Sequence, residues 1–576
     1  MSAAVGGRRP GRRLEQPIVA VLEKRGRFLV AEPIFGPGPR PAVERGGAGV
    51  GDLVLVGGGK RGARVLRRIG RPERARDVVE GLMLDRGLHR TYSRSATAVA
   101  EAQLHEPYAA DARVDLRDLP TFTIDPDDAR DFDDAVSARR DGDRVRVWVH
   151  IADVSAYVRP GGRLEHEAFR RGTSVYVPGA VEPMLPEVLS NQACSLRPGE
   201  DKLAVTVEMV MSGADVVSVA FHRSLVRSDR RLTYGEVDEL FAGKTRAEEP
   251  WGEPLALARE VAAALHERRD SLEFGSFEPT FEFDSDGDVT GVRYEQQTES
   301  HRLIEMLMIL ANEQVAGYLA DKRLPTLYRV HERPDPQSVV FLVEQLAGLD
   351  IPTPPLPKQM TPQQAADAVT EISRIVARES RGKRAYGVLV LRALKQAYYS
   401  PRNMGHAGLG SARYCHFTSP IRRYPDIVAH RALLQGLGID EAATPAHELG
   451  EAGVVSSSSE REAMQIERDA DDVCLSFLLE RVLAEADRNE PPSFEGEVVG
   501  LIEKGAFVQF GEERFEGFLP VRRLRGWWTL NEVGTALEAE GSGRRLRLGD
   551  TIAVEVDRVD APRGRVDLSA YSVRDG

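Results

Sequence analysis

Thr123-Ile-Asp-Pro-Asp-Asp-Ala-Arg-Asp-Phe-Asp-Asp-Ala-Val-Ser137 is the stretch on which the reading of this chain turns. Six aspartates (Asp125, Asp127, Asp128, Asp131, Asp133 and Asp134) fall within ten residues, and only Arg130 offsets them. A run this acidic either lies in water or holds cations. The flanks favour cations. Phe122, Ile124, Phe132, Ala135 and Val136 interleave with the acids, so the segment has apolar side chains to bury. Carboxylates held against a core are costly unless they are paired or bind metal. Hard oxygen ligands without nearby Cys or His favour Mg²⁺ or Mn²⁺ over zinc.

Two other acidic motifs fail here. A calcium EF-hand loop wants Gly at its sixth position and Glu at its twelfth. Counted from Asp125, those positions hold Arg130 and Val136. Asp127-Asp128-Ala-Arg-Asp131 fits the DDxxD pattern of diphosphate-binding helices, but Pro126 opposes a helix and Val145 to Ile151 alternates as a strand does.

The frame Ile-Asp-x5-Asp-x-Asp-Asp-Ala, with Asp125, Asp131, Asp133 and Asp134, resembles the catalytic acids of the RNase II/RNase R exoribonucleases, the RNB family. Val145 to Ile151 continues into Ala152 to Val158, and the pair is similar to that family's HIADVSxYV segment. Gly172 to Ser190 also follows the family pattern and places Tyr176 where a base at the RNA 3′ end is stacked. His416-Phe-Thr-Ser-Pro-Ile-Arg-Arg-Tyr-Pro-Asp-Ile-Val-Ala-His-Arg431 closely resembles the family's arginine block. The resemblance makes Arg422 a phosphate clamp, since a guanidinium offers a fixed fork to phosphate oxygens. It makes Arg423 a neighbouring backbone contact. Gln465 to Asp469 resembles a family helix in which Glu467 reaches the terminal nucleotide.

Composition is ordinary for a globular chain of 576 residues, with 42% hydrophobic and 29% charged residues, and the length suggests several domains. The net charge of -12 is unevenly spread: residues 1–76 hold 17 Lys/Arg against 6 Asp/Glu. A basic N-terminal module on an acidic body is an electrostatic footprint for a polyanion. Cys194, Cys415 and Cys474 lie far apart and suggest neither a zinc pair nor a disulfide framework, so a reducing cytoplasm is the expected compartment. The most apolar helix candidate, Leu303 to Ala320, is interrupted by Glu305, Asn312, Glu313 and Gln314, and no membrane role is expected.

The expected fold is α+β: a central mixed α/β RNB catalytic domain flanked by small all-β OB-fold barrels. Residues 1–15 read as a basic disordered tail, 16–72 as a cold-shock or OB-like module, 73–112 as a helical linker, 113–488 as the catalytic body and 489–576 as an S1-type OB fold. In the last module Phe507, Phe510 and Phe518 occupy positions where that fold displays base-stacking aromatics. Trp527 and Trp528 are adjacent, so on a strand only one faces the core.

The resemblance implies a processive 3′→5′ hydrolytic exoribonuclease, acting as a monomer on single-stranded RNA with two Mg²⁺ ions, or Mn²⁺. In it Asp125, Asp131 and Asp134 ligate metal, Asp133 ligates and positions the attacking water, and Arg422 offsets developing charge. The alternative is a catalytically silent RNA-binding protein on the same scaffold. The chain departs from the family in showing one clear N-terminal barrel, no Lys-rich tail, and Pro334 near the place of a second stacking aromatic.

Overall fold

The computed structural model describes residues 16–44, 47–59, 62–88, 91–105, 113–269, 278–439, 442–486 and 492–573. The expected basic tail at residues 1–15 lies outside these, as do Lys60 and Arg61.

The apolar runs near the N-terminus close a five-stranded barrel from Ile18–Arg25, Phe28–Pro33, Ala42–Glu44, Leu53–Gly59 and Gly62–Gly70. Its interior is small: Ala20, Leu22, Ala31, Val54 and Val56 fill it. Two helices, Ala75–Asp85 and Arg94–His105, follow.

The central body is built on a seven-stranded sheet. Its order is Arg230–Thr233, Phe122–Asp125, Asp134–Asp141, Arg144–Ala152, Asp201–Ser212, Asp215–Arg227, Val114–Asp115. The middle strands are antiparallel, while the edge strands Arg230–Thr233 and Val114–Asp115 pair in parallel. The three central strands are largely buried, whereas Asp215–Arg227 leaves Val217 and Val219 exposed. Val147, Val149, Val205 and Val207 share a core with Leu255, Leu303, Leu307 and Leu310 of the helices Gly252–Arg268 and Glu299–Asp321. By length and composition Glu299–Asp321 is apolar enough to cross a membrane, yet most of that stretch is buried against the sheet as a core helix.

The strand that carries the alternating Val145 to Ile151 ends at Ala152. A 3-10 turn, Val154–Ala156, follows because the Asp153 carboxylate accepts the Ala156 amide at 3.2 Å and caps it. Asp153 is then held by Arg113 and Arg223 at 2.6 and 2.7 Å, in a buried network that locks this corner.

A 37-residue helix, Leu449–Glu485, is the spine. Its Ala463, Ile466, Ala470 and Val473 share one core with Val78, Val79 and Leu82 of the first linker helix and with Phe510 and Phe515 of the C-terminal barrel. That second barrel closes from Ser493–Ile502, Gly505–Phe510, Phe515–Pro520, Thr551–Asp560 and Arg565–Val573. Between its third and fourth strands sits a separate three-stranded sheet of Trp528–Leu530, Ala536–Ala539 and Arg545–Arg547, which the sequence pattern did not foretell.

Candidate active site

Phe122–Asp125 ends where Asp134–Asp141 begins, because the two strands are antiparallel neighbours. The connecting loop therefore returns Asp131, Asp133 and Asp134 to the edge where Asp125 ends its strand. The loop is fixed by its own backbone. The Ser195 hydroxyl donates to Arg130 O at 2.8 Å and accepts the Phe132 amide at 3.0 Å. The Ala152 amide donates to Asp133 O at 2.8 Å. Arg231 donates to the carbonyls of Pro126 and Asp127 and lies over the Phe132 ring. Asp127 and Asp128 point to solvent, outside the cluster.

Burial drives the electrostatics. It raises the Asp125 carboxyl to about 6, with the nearby Asp131 charge adding to the rise. It raises Asp134 to about 7, with Asp125 as the neighbouring charge. Asp133 is also pushed up by burial, against the pull of Arg422. Each shift has the same meaning: a carboxylate here lacks the compensation that water would give.

The arginine block closes over the acids. The Ile421 amide donates to Asp133 Oδ1 at 2.8 Å. Asp133 Oδ2 faces Arg422 Nε at 3.5 Å, and the Arg422 side chain is 48% exposed. Arg422 is thus half in the pocket and half open to a ligand. Its carbonyl is bonded by the Ser174 amide and the Thr173 hydroxyl, which ties the arginine loop to the segment leading into Tyr176.

Tyr176 sits in a hairpin of Val175–Val177 and Ala180–Glu182. Pro178 and Gly179 make the two-residue turn, and Gly179 takes φ +72°, which favours glycine. Strand alternation then buries Val175 and Val177 and turns Tyr176 outward. Its hydroxyl donates to Asp131 Oδ2 at 2.8 Å, and its amide donates to Glu467 Oε1 at 2.9 Å. Glu467 therefore enters the site through the Tyr176 backbone.

One sequence expectation, for Phe510, is corrected, and Arg423 is found engaged within the protein. Its Nε and Nη2 close on Asp426 at 3.0 and 2.8 Å, and Asp426 also accepts the Ser419 amide, so Arg423 shapes the loop that carries Arg422. Phe510 is not displayed for stacking. It is 2% exposed and packs between Phe494 and Phe515, with ring centroids 5.2 and 5.8 Å away. Phe507 and Phe518 instead pair across neighbouring strands at 5.2 Å and stay partly exposed.

Sequence reasoning missed Tyr234 and Arg231. The parallel register places Thr233 opposite Asp125, so the strand Arg230–Thr233 and the residue after it border the acids. The Tyr234 hydroxyl is pushed up by burial and by the charges of Asp134 and Asp125. No local pattern signals this contact, because it depends on a pairing more than a hundred residues apart.

Asp125 Oδ2 and Asp133 Oδ2 are buried and accept no hydrogen bond. Among the described residues no three His, Cys, Asp or Glu side chains are gathered closely enough to hold a metal as they stand. Asp131 and Asp133 are engaged with Tyr176, Ile421 and Arg422. Orphaned hard oxygens beside uncompensated carboxylates fit a divalent cation of the Mg²⁺ type.

Two small barrels flanking a pocket of carboxylates, an arginine and an outward tyrosine define a multidomain nucleic-acid-handling protein. Comparison with known proteins agrees. The family model described as RNB domain matches residues 113–438, and that described as S1 RNA binding domain matches residues 492–570. The chain is 36% identical over 483 residues to Ribonuclease R of Escherichia coli (strain K12), covering 80% of this chain and 57% of that protein. It is 38% identical over 469 residues to Ribonuclease R of Aquifex aeolicus, covering 79% of this chain and 64% of that protein. A solved structure of Mycoplasma genitalium RNase R in complex with ribose methylated single-stranded RNA shares the fold, with a TM-score of 0.84, 22% identity, and coverage of 96% of this chain and 89% of that one. The chain belongs to the RNB family. It spans 57% and 64% of the length of the two curated relatives named.

Proposed function

We propose that the chain is a 3′→5′ hydrolytic exoribonuclease that processively shortens single-stranded RNA to nucleoside 5′-monophosphates. One observation carries the reading. Asp133 is bonded through Oδ1 to the Ile421 amide and meets Arg422 Nε through Oδ2 at 3.5 Å, while the Arg422 side chain stays half exposed, so a buried acid and an anion-binding arginine open to a ligand share one site.

The residues divide the work. Tyr176 stacks on the 3′-terminal base, and Asp131 and Glu467 hold it there. Arg422 binds the scissile phosphate and offsets charge as water attacks phosphorus. The attacking oxygen stays on the released 5′-phosphate. The P–O3′ bond breaks, and the shortened RNA leaves with a 3′-hydroxyl. Asp133 orients the water. Asp125, Asp131, Asp133 and Asp134 are the residues that would hold Mg²⁺, or Mn²⁺, and a bound cation would supply Lewis acidity to the water and the leaving oxygen. The two barrels guide unpaired RNA, with Phe507 and Phe518 as a stacking pair. The three cysteines are buried free thiols, in keeping with a reducing cytoplasmic compartment.

The test uses 5′-labelled single-stranded RNA and Mg²⁺ with wild type and Asp133→Asn. Asparagine keeps an acceptor for the Ile421 amide and removes the charge. The expected result is a ladder shortening from the 3′ end with wild type, abolished in the variant while RNA binding persists. Intact RNA bound tightly by the wild type would replace this reading with that of a silent RNA-binding protein.

A further inference from the structure

The sheet inserted in the C-terminal barrel carries an indole that the fold leaves open. Trp527 is 82% exposed, the highest value among the large exposed hydrophobic side chains. Its neighbour Trp528 is buried, with Leu524, Leu537 and Leu546, in the core that the spine helix shares with the barrel. The backbone that presents Trp527 is nonetheless fixed. Arg525 O accepts both the Trp528 indole N–H at 3.1 Å and Arg544 Nη2 at 2.7 Å. Trp527 O accepts the Glu540 amide at 2.9 Å. Gly526, at φ +101°, makes the turn just before the indole. The insert itself is anchored to the catalytic body, since Gln345 donates to Val533 O and Arg547 pairs with Asp350. A solvated indole on a pinned turn is a rigid platform with little left to order on binding.

The charges around it select the partner. Arg523 and Arg545 are paired with Asp557 and Glu538. Arg522, Arg525 and Arg544 have no carboxylate partner among the described residues. Residues 521–527 hold Arg522, Arg523 and Arg525 and no acid, a local reversal in a chain of net charge -12, and Arg544 is tied to the same turn through Arg525 O and lies over the Trp528 ring at 5.6 Å. An apolar protein surface laid on Trp527 would desolvate these guanidiniums without supplying acceptors. A nucleotide supplies both needs, a π face for the indole and a phosphate for the guanidiniums.

We propose that Trp527, with Arg522, Arg525 and Arg544, forms a base-stacking site for unpaired RNA on the insert, separate from the Phe507–Phe518 pair on the barrel and from Tyr176 in the catalytic pocket. It rests on the RNA reading given above and adds a contact beyond the segment that reaches the acids. Trp527 then acts on affinity for long RNA and leaves the chemical step alone.

The full chain offers its own probe. Of the four tryptophans, Trp148, Trp251 and Trp528 are buried, so the indole open to acrylamide is Trp527. The experiment uses Asp133→Asn to prevent turnover and adds long and short oligoadenylates. Long RNA is expected to quench the exposed indole and shield it from acrylamide. Trp527→Ala should lose that signal and weaken long-RNA binding about 5-fold or more, in line with loss of one stacked base. Trp527→Phe should restore most of the affinity, and short RNA should bind all three alike. In the turnover-competent chain, Trp527→Ala should raise KM for long RNA with kcat unchanged. Long RNA that binds equally well to Trp527→Ala overturns the proposal, and so does an indole that RNA does not shield. Failure of the parent chain to bind any RNA would sink the functional reading itself, an outcome distinct from either of these.

Discussion

The Tyr176 hydroxyl donates to Asp131 Oδ2 at 2.8 Å, so the outward ring is tethered to the loop that carries the acids. Stacking and carboxylate placement are therefore one mechanical unit. Tyr176→Ala should lower affinity for short single-stranded RNA by about 1–3 kcal/mol, the value of one stacked base. Tyr176→Phe keeps the ring and removes only the tether, which is worth on the order of 1 kcal/mol. Fluorescence anisotropy in the Asp133→Asn background separates the two. A Phe variant as weak as the Ala variant would show that the hydroxyl, and not the ring, holds the RNA.

The orphaned oxygens of Asp125 and Asp133 predict a linkage between cations and stability. A ligand that binds only the folded state stabilises it by about 2.7 kcal/mol at a hundred times its Kd. Mg²⁺ should raise the melting temperature of the wild type, and EDTA should reverse the rise. Asp125→Asn should abolish most of the Mg²⁺ response. In EDTA the same variant should melt no lower than the wild type, because a buried carboxylate raised to about 6 by desolvation has been removed. Equal Mg²⁺ responses in the two proteins would place the cation elsewhere.

How much of this was legible in the sequence depends on the range of the contact. Asp125, Asp131, Asp133 and Asp134 share a short loop between two strands, so their spacing already implied a common site. Arg422 was legible only through a resemblance, since nothing local shows that Ile421 N will meet Asp133 Oδ1 across 288 residues. Tyr234 and Arg231 were illegible because a parallel pairing brings them in. The third strand of the first barrel, Ala42–Glu44, and the strands of the insert were missed because runs of three or four residues carry almost no period. Phe510 is a different failure. It lies three residues from Phe507 on one strand, and an odd separation puts the two on opposite faces. Parity alone should have assigned one ring to the core.

Asp471, on the spine helix, gives a pH prediction outside the catalytic acids. Burial, then the charges of Asp472, Glu467 and Glu278, raise it from 3.8 to about 7. A carboxyl raised on folding favours the folded state in its neutral form. Its contribution is fully present below about 4 and is lost as pH rises through about 7. Asp471→Asn should therefore melt above the wild type at pH 8, with the difference shrinking towards zero near pH 4. A difference that is constant with pH would mean that Asp471 is ionised throughout and compensated by its surroundings.

Phe510 and Phe507 make the sharpest pair, because one strand carries both and their faces differ. Phe510 fills the junction where the C-terminal barrel meets the core it shares with the spine helix, touching Phe494 and Phe515. Truncating it leaves a cavity that neighbours on several elements cannot close, so Phe510→Ala should cost about 3–5 kcal/mol of stability. RNA affinity per folded molecule should hold. Phe507 packs mainly on Phe518, and part of its ring is already in water. Phe507→Ala should cost little stability and lower RNA affinity by about 1–3 kcal/mol. Denaturant unfolding and anisotropy on the same two preparations decide the matter. If Phe507→Ala unfolds easily while Phe510→Ala loses RNA, the strand is inverted relative to the structure and the stacking face is the one now called the core.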